Sequence, residues 1–556
     1  MFLQQLALMT LAASVVAAGV PLADRYHPAA PAPSTAPGRA AETEAGHWYS
    51  EAQAAIDARL AHRESKNKAR NVVMFLGDGM SVPTLAAART LLGQRSNADA
   101  TGEEAELSFE RFPTSGLVKT YCVDAQVADS ACSATAYLCG VKANQGTLGL
   151  TAAVPRWNCD ASTDTSRRVQ SIAEWALADG RDAGIVTTTR ITHASPAGVF
   201  AKVANRHWEN NAAVAQDGHD TERCPDIAHQ LVHMYPGNQF KVILGGGRRE
   251  FIPTTTIDEE GSPGLRTDGR NLIEEWQNDK ATRNVDHRYI WNQEQLNPLI
   301  SSPPDYLLGL FENNHLQYHM KANLTTEPTL AQLTEVAIRS LSRNEKGFFL
   351  FVEGGRIDHA HHDNLVELAL DETLEMHKAV ARAAELLSEE DSLIVVTADH
   401  AHVMSFNGYS RRGNDILGPS RDLDSDGTPY MTLSYTNGPG FRPHVNGVRP
   451  NVTAEEIYGT LEWTSHVDVP LESETHGGDD VAVFARGPHH SMFTGLYEQS
   501  QLPHLMAYAA CIGPGRHACS AVDAGSGEDA PGAAHTPSAP LAFVSILVLL
   551  TTLFLQ

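Results

Sequence analysis

The sequence predicts an α/β chain built around a large, mostly parallel sheet with helices on both faces. Three segments predict it. Asn71-Val-Val-Met-Phe-Leu-Gly77, Phe348-Phe-Leu-Phe-Val-Glu353 and Ser392-Leu-Ile-Val-Val-Thr-Ala398 are short, continuous and β-rich. Runs of that kind suit central strands covered on both sides. Each also ends in chemistry: Asp78 between glycines, Glu353 before Gly354-Gly355, and Asp399-His400. Open α/β sheets bind ligands at the carboxyl ends of their strands, so three such ends point to one shared site. The plain alternative, three unrelated solvated loops, leaves the repeated placement of Asp, Glu and His unexplained.

The chain has 556 residues, with 67 acidic and 42 basic side chains and a formal charge of −25. That length accommodates one large α/β domain with insertions, or two to three ordinary domains. The acidity argues against nucleic acid as a partner, because a phosphate backbone needs basic surface. It serves solubility and leaves acidic groups to hold cations.

Met1–Ala18 reads as a secretory signal, and 19–46, with five prolines, as a leader or pro-segment. At the other end, the apolar run Leu541–Gln556 is shorter than the roughly 20 residues of a spanning helix. Small residues Ala524–Gly527 and a polar spacer to Pro540 precede it. This is the layout of a GPI attachment signal with a removed tail, and Gly525 is the expected attachment residue. The expected catalytic domain runs over 47–520 and the linker over 521–540. Seven cysteines in a secreted chain imply disulfides and an odd thiol. Cys511 and Cys519 are near neighbours and Cys159 and Cys224 a longer pair; Cys122, Cys132 and Cys139 are left, and spacing alone does not fix the pairing. Asn323-Leu-Thr and Asn451-Val-Thr are glycosylation sequons.

In chain order, a helix near Tyr49–Leu60 places Ala52, Ile56 and Leu60 on one stripe, for a partner subunit or for the chain's own core. Small residues Val127–Ala136 predict a tight turn opening a helix, with Ser130 at its start. There it is either a nucleophile among free N–H groups or an ordinary cap. Ile185–Gly198 reads as a strand and turn, with His193 and Ser195 two apart on extended chain. Arg206 has the guanidinium geometry for phosphate, although one arginine by itself is usually surface charge. After Glu353, Asp358 and His362 stand four apart, which is ligand spacing on one helical face. Gly245-Gly-Gly247 lacks a following Lys-Ser/Thr and reads as a strand-end turn. Asp422–Gly427 mimics a calcium loop, but Leu433 stands where the bidentate Glu belongs, so it reads as a surface loop.

Gly77-Asp-Gly-Met, Asp129-Ser130, His193-Ala-Ser-Pro-Ala-Gly, Glu353-Gly-Gly-Arg-Ile-Asp-His, Thr397-Ala-Asp-His and Glu474-Thr-His476-Gly-Gly, in that order, resemble the motifs of animal, membrane-bound, GPI-anchored alkaline phosphatases. The resemblance runs from about His47 to Cys519. It implies an alkaline phosphatase-like fold with a small crown insertion over about 407–474. It implies two zinc ions, one on Asp358, His362 and His476 and the other on Asp78, Ser130, Asp399 and His400. It implies one magnesium ion on Asp78, Ser195 and Glu353, with His193 behind it. Ser130 would be phosphorylated and Arg206 would clamp the phosphoryl oxygens. A calcium would lie at Glu260, the Phe311 carbonyl, Glu312 and Glu327, although the family shows Asp at the last position. Cys132 is a second departure, expected as a small buried side chain, and His402 is left outside the ligand set.

The implied activity is hydrolysis of small phosphate monoesters at alkaline pH on the outer cell surface, by a GPI-anchored homodimer. Two rivals stand beside it. A sulfatase needs Pro and Arg after its Cys or Ser, which Ser130-Ala-Cys-Ser-Ala lacks, and a phosphodiesterase needs room for a second ester arm, whereas Arg206 suits a terminal phosphate. A surface receptor with a dead site would have lost ligands, and none is lost.

Overall fold

A computed structural model describes residues 41–96, 101–423, 425, 427–517 and 519. The expected signal segment, most of the leader, the linker with Gly525 and the apolar tail lie outside the described residues. Among the described residues, no helix is long and apolar enough to cross a membrane.

Ten strands form one sheet: β1 (Asn71–Gly77), β2 (Thr114–Lys119), β3 (Asp182–Arg190), β4 (Val242–Gly246), β5 (His287–Ile290), β6 (Tyr306–Leu310), β7 (Phe348–Gly354), β8 (Ser392–Ala398), β9 (Val481–Arg486) and β10 (Gly495–Glu498). Their order is β10-β2-β9-β8-β1-β7-β3-β4-β6-β5. Every pairing is parallel except those of β9, which runs antiparallel to both β2 and β8. The three strands predicted from sequence lie side by side at the centre, and each is buried at every position. Total burial of a strand requires cover on both faces. Helices α4 (Leu330–Leu341) and α6 (Val366–Leu386) pack on each other and on β3, β7 and β1, while α7 (Leu502–Ala510) packs on β1 and on the helix Ser130–Cys139.

Register places the site. Gly77 pairs with both Gly354 and Ala398, so β1, β7 and β8 end level with one another. Thr187 of β3 stands opposite Glu353. Asp78, Glu353 and Asp399 therefore emerge together at the carboxyl edge.

The stretch expected as an insertion, 407–474, contributes to a separate three-stranded sheet (404–406, 433–438, 467–470) and a two-stranded ribbon (419–423, 429–431). The calcium-loop mimic starts inside that ribbon rather than in a loop. Helix α1 (Ala45–Ala61) has no buried residue; Tyr49 is 74 % and Leu60 70 % exposed, so its stripe does not pack on the chain's own core. Disulfides join Cys159–Cys224, Cys511–Cys519 and Cys122–Cys132, and Cys139 is a buried free thiol. Cys132, expected as a free buried side chain, is bonded to Cys122 instead. Asn323 and Asn451 are both exposed.

Arg181 ties the ends of the domain together. Its buried guanidinium donates to the carbonyls of Ala69 (2.8 Å) and Arg70 (2.7 Å) before β1, and of Ala510 (2.5 Å) at the end of α7. Removing it leaves three carbonyls unpaired, and unmet buried acceptors cost about 1–3 kcal/mol each. Arg181→Ala should therefore lower the calorimetric melting temperature sharply; a shift within error of wild type would refute this role.

Candidate metal-phosphate site

Ser130 opens helix α3 (Ser130–Cys139), but it is not the cap. Asp129 is: its Oδ1 accepts from Cys132 N at 3.1 Å, leaving the Ser130 hydroxyl free to face His400 Nε2 at 3.3 Å. Arg206 donates through Nη1 to Asp129 Oδ2 (3.0 Å) and through Nη2 to His193 Nε2 (3.2 Å). The backbone runs Gly77-Asp78-Gly79 into this edge with Gly79 at φ +68°, and a Cβ there would run into His402. Glycine is the residue that takes such a turn without strain.

His193 keeps extended backbone, as the sequence implied, but Ser195 does not. His193 caps a short helix, Ala194–Ala197, and Ser195 is on its first turn. Pro196 fits there because a helix leaves its first N–H groups unpaired anyway. The result still brings Ser195 Oγ to Asp78 Oδ2 at 3.2 Å. Helix α5 (Arg356–His362) carries Asp358 and His362; its first N–H groups bond Thr188 Oγ1 of β3 (2.9 and 3.2 Å). His476 pairs in register with His402 across a two-residue antiparallel bridge.

Three groups of ligand-type atoms converge. Asp358 has His362 Nε2 and His476 Nε2 each 3.4 Å from its Oδ1. His400 Nε2 lies 3.4 Å from Asp78 Oδ1 and 3.2 Å from Asp399 Oδ2. Asp78, His193 and Glu353 form the third group. The first group has a telling feature. His362 Nδ1 bonds the Glu474 carbonyl (2.6 Å) and His476 Nδ1 bonds the Ala128 carbonyl (2.7 Å). A carbonyl only accepts, so each neutral ring keeps its proton on Nδ1. The two bare Nε2 lone pairs then face each other at 3.0 Å, beside a carboxylate. A metal ion between them, or a proton on one ring, relieves that arrangement.

Electrostatics agree. Burial, and then Asp399, Asp358 and Glu353, push the Asp78 carboxyl well above the usual range. Burial raises Glu353 to about 7, even though Thr187 and Thr189 donate to its Oε2. Asp78 Oδ1 and Glu353 Oε1 are buried and accept no hydrogen bond. Burial opposes ionisation of Asp358, but His362, His402 and His476 outweigh it and hold the group well below the usual value.

From sequence, His402 lies outside the ligand set, and Glu474, Thr187 and Thr189 have no role there. His402 bonds Asp358 Oδ1 (2.8 Å) through Nε2 and Glu474 Oε2 (2.5 Å) through Nδ1. Glu474 thus orients both His402 and, through its carbonyl, His362. Its signal was a glutamate two residues before His476. Thr187 and Thr189, spaced two apart on one side of β3, orient Glu353; the polar Thr run in a buried strand was the available sign. Cys122, Asp129 and Cys132 also converge, but the two sulfurs are joined to each other.

On the outer lobe, Glu260 pairs with the fully buried Arg248. Glu327 is 5 % exposed, and burial followed by the neighbouring Glu312 carboxyl raises it to about 9, although Gln317 N donates to its Oε1 (3.0 Å). Phe311 is buried at the end of β6.

A profile of the alkaline phosphatase family matches residues 69–512. The chain is 69 % identical over 503 residues to a membrane-bound alkaline phosphatase of Bombyx mori, covering 89 % of this chain and 91 % of that one. It is 47 % identical to an alkaline phosphatase of Gadus morhua (85 % and 99 % covered) and 44 % identical to the human tissue-nonspecific isozyme (87 % and 92 %). Among solved structures, the Thermus thermophilus alkaline phosphatase superposes with a TM-score of 0.56 at 22 % identity, over 84 % of this chain and 98 % of that one. At that identity the likeness speaks for the fold alone.

Burial works against charge on His402, but Glu474 and Asp358 outweigh it and push its pKa up from 6.5 to about 10. A raised folded value stabilises fully below pH 6.5, and that contribution is lost as pH rises through 10. In the metal-free protein, Glu474→Gln should therefore flatten the fall in urea stability between pH 6.5 and 10. An unchanged slope would refute the pairing.

Proposed function

Because the chain belongs to the alkaline phosphatase family and hydrolyses phosphate monoesters, we propose that Ser130 is its transiently phosphorylated nucleophile, served by two zinc ions and one magnesium ion. The observation that carries this is the pair of bare nitrogens on His362 and His476, facing each other beside Asp358, with the uncapped Ser130 hydroxyl close to the adjoining His400 group.

The donor sets fit the ions. Asp358, His362 and His476 offer one carboxylate and two imidazoles, and Asp78, Asp399, His400 and Ser130 offer oxygen with one imidazole; both suit zinc. Asp78, Ser195 and Glu353 offer oxygen only, which suits magnesium. Arg206 donates to His193 Nε2, so the orphaned Nδ1 of His193 carries the proton. That makes Nδ1 a hydrogen-bond donor beside the oxygen set that would hold the magnesium, rather than a ligand. When bound, the ions supply Lewis acidity that lowers the Ser130 pKa and neutralises charge on the entering and leaving oxygens.

The chain does the rest. Arg206, held by Asp129 and His193, keeps guanidinium N–H groups for two phosphoryl oxygens. Ser130 Oγ loses its proton to solvent and attacks phosphorus as the P–O bond to the leaving alkoxide breaks; the alkoxide takes up a proton from solvent as phosphoserine forms. A water then enters from the vacated side, the Ser130 Oγ–P bond breaks, and phosphate leaves with configuration retained. Helix α3 points its N-terminal N–H groups at the anionic centre throughout. Glu312 and the buried Glu327 offer carboxylate oxygens that suit a calcium ion, with Glu260 and the Phe311 carbonyl as the further donors.

We also place the protein on the outer cell surface, held by a GPI anchor at Gly525, as a homodimer whose partner covers the exposed stripe of α1. The Bombyx mori relative's name, membrane-bound, supports the first, and the exposure of Trp48, Tyr49, Ile56 and Leu60 supports the second.

Ser130→Ala should abolish p-nitrophenyl phosphate hydrolysis at pH 9–10, a loss of at least about 10³-fold, together with the ³²P-labelled serine trapped by acid quench. A labelled wild-type chain whose Ser130 variant still turns over would sink the mechanism. Phosphatidylinositol-specific phospholipase C should release the activity from membranes, and the released form should sediment at twice the chain mass; activity retained on the membrane or a monomer would overturn the corresponding proposal.

A further inference from the structure

The loop between β2 and α3 is short of ordinary support. From Thr120 to Asp129 it forms no helix or strand, and Tyr121, Val123 and Val127 are exposed. Its inward side rests on a small cluster of Cys122, Ala128, Cys132, Ala143 and Ala125, separate from the main core. Before Ala128 its backbone is held to its surroundings by few bonds: Val123 N donates to the Ala143 carbonyl (3.0 Å) and the Tyr121 carbonyl accepts from Lys142 Nζ (2.8 Å), while the Asp124 side chain accepts from Gln145 N (2.8 Å). Segments with so few buried contacts open locally at low cost.

Yet three parts of the site hang on its last residues. The Ala128 carbonyl fixes the ring of His476. Asp129 holds Arg206 and caps α3. Ser130 is the nucleophile under the mechanism above, on which this inference rests. The Cys122–Cys132 disulfide closes the segment that contains all three, joining the loop's start to the first turn of α3. Both sulfurs are buried, and neither points a free thiol at the metal ligands.

We propose that the Cys122–Cys132 disulfide is a positioning element of the active site. It holds Ala128, Asp129 and Ser130 in one geometry where packing is too thin to do so. Its contribution is therefore read in phosphate binding and zinc retention, beyond its contribution to global stability. A site of this kind needs its groups held within a fraction of an ångström, and small displacements lower rates steeply.

The test compares three double variants of the zinc- and magnesium-loaded protein with wild type. Cys122→Ala/Cys132→Ala removes the bond. Cys122→Val/Cys132→Ala removes it but refills the apolar cluster. Cys511→Ala/Cys519→Ala removes a bond of similar loop length whose loop contains no residue of the site. Each is measured for KM, kcat, inhibition by inorganic phosphate, zinc release to a chromogenic chelator, and melting temperature. Both variants lacking the first bond should bind phosphate about tenfold more weakly and release zinc faster. The Val variant should recover melting temperature without recovering phosphate affinity. The Cys511/Cys519 control should melt lower with unchanged phosphate affinity. Phosphate inhibition and zinc release within twofold of wild type in the first two variants would overturn the proposal. So would failure of both to fold, because the bond would then be a general stability element. A wrong nucleophile would show separately, as turnover by Ser130→Ala, whatever the disulfide variants do.

Discussion

The arrangement depends on one electrostatic constraint: buried carboxylates and bare imidazole nitrogens crowd the carboxyl edge of three level strands. Asp78, Glu353, Asp358 and Asp399 are all buried, in ligand groups linked to one another through Asp78 and His400. Without positive charge they repel one another, which is why burial and neighbours raise Asp78 and Glu353. A fold tolerates such crowding when cations bind it, and binding free energy then becomes folding free energy. The surrounding structure follows from that need. The strands end in register, glycines let the chain turn sharply, and threonines and carbonyls fix the orientation of each donor.

Much of this was legible in the sequence because the signals were local. A continuous apolar run followed by Asp or Glu marks a buried strand and what it delivers, as in β1, β7 and β8. Asp358 and His362 were readable from helical spacing. What was not legible depended on contacts distant along the chain. His402 looked peripheral beside Asp399-His400, and only the bridge to His476 and the Glu474 side chain turn it onto Asp358. Cys132 looked like a small apolar filler because spacing does not fix pairing. Ser195 was read as extended along with His193 because the strand pattern before them continues smoothly; the switch to a short helix comes from a turn, and Pro196 is compatible with it. The stripe on α1 left two readings open, and its full exposure removes the chain's own core as the answer.

The outer lobe repeats the logic at lower density. Arg248 is fully buried and has Asp258 and Glu260 for company, so its charge is locally neutralised. Glu327 accepts from Gln317 N (3.0 Å) through Oε1, its buried Oε2 has no hydrogen-bond partner among the described residues, and the neighbouring Glu312 adds like charge rather than relief. The lobe therefore contains one acidic cluster already balanced by protein and one that is not, adjoining the same strand end.

The direction of β9 has a consequence for how the protein is made. In a parallel sheet a strand delivers to the carboxyl edge the residue that follows it; an antiparallel strand delivers the one that precedes it. His476 reaches the site in that second way, just ahead of β9, and β9 also separates β2 from β8. A nascent chain can assemble β1, β7 and β8 and gather Asp78, Glu353, Asp358, Asp399 and His400 while β9 is still in the ribosome. The last imidazole arrives only when β9 slots between two strands already made. The facing pair of imidazoles is thus completed only after nearly the whole described domain has emerged, and a chain that ends before His476 lacks the second of them.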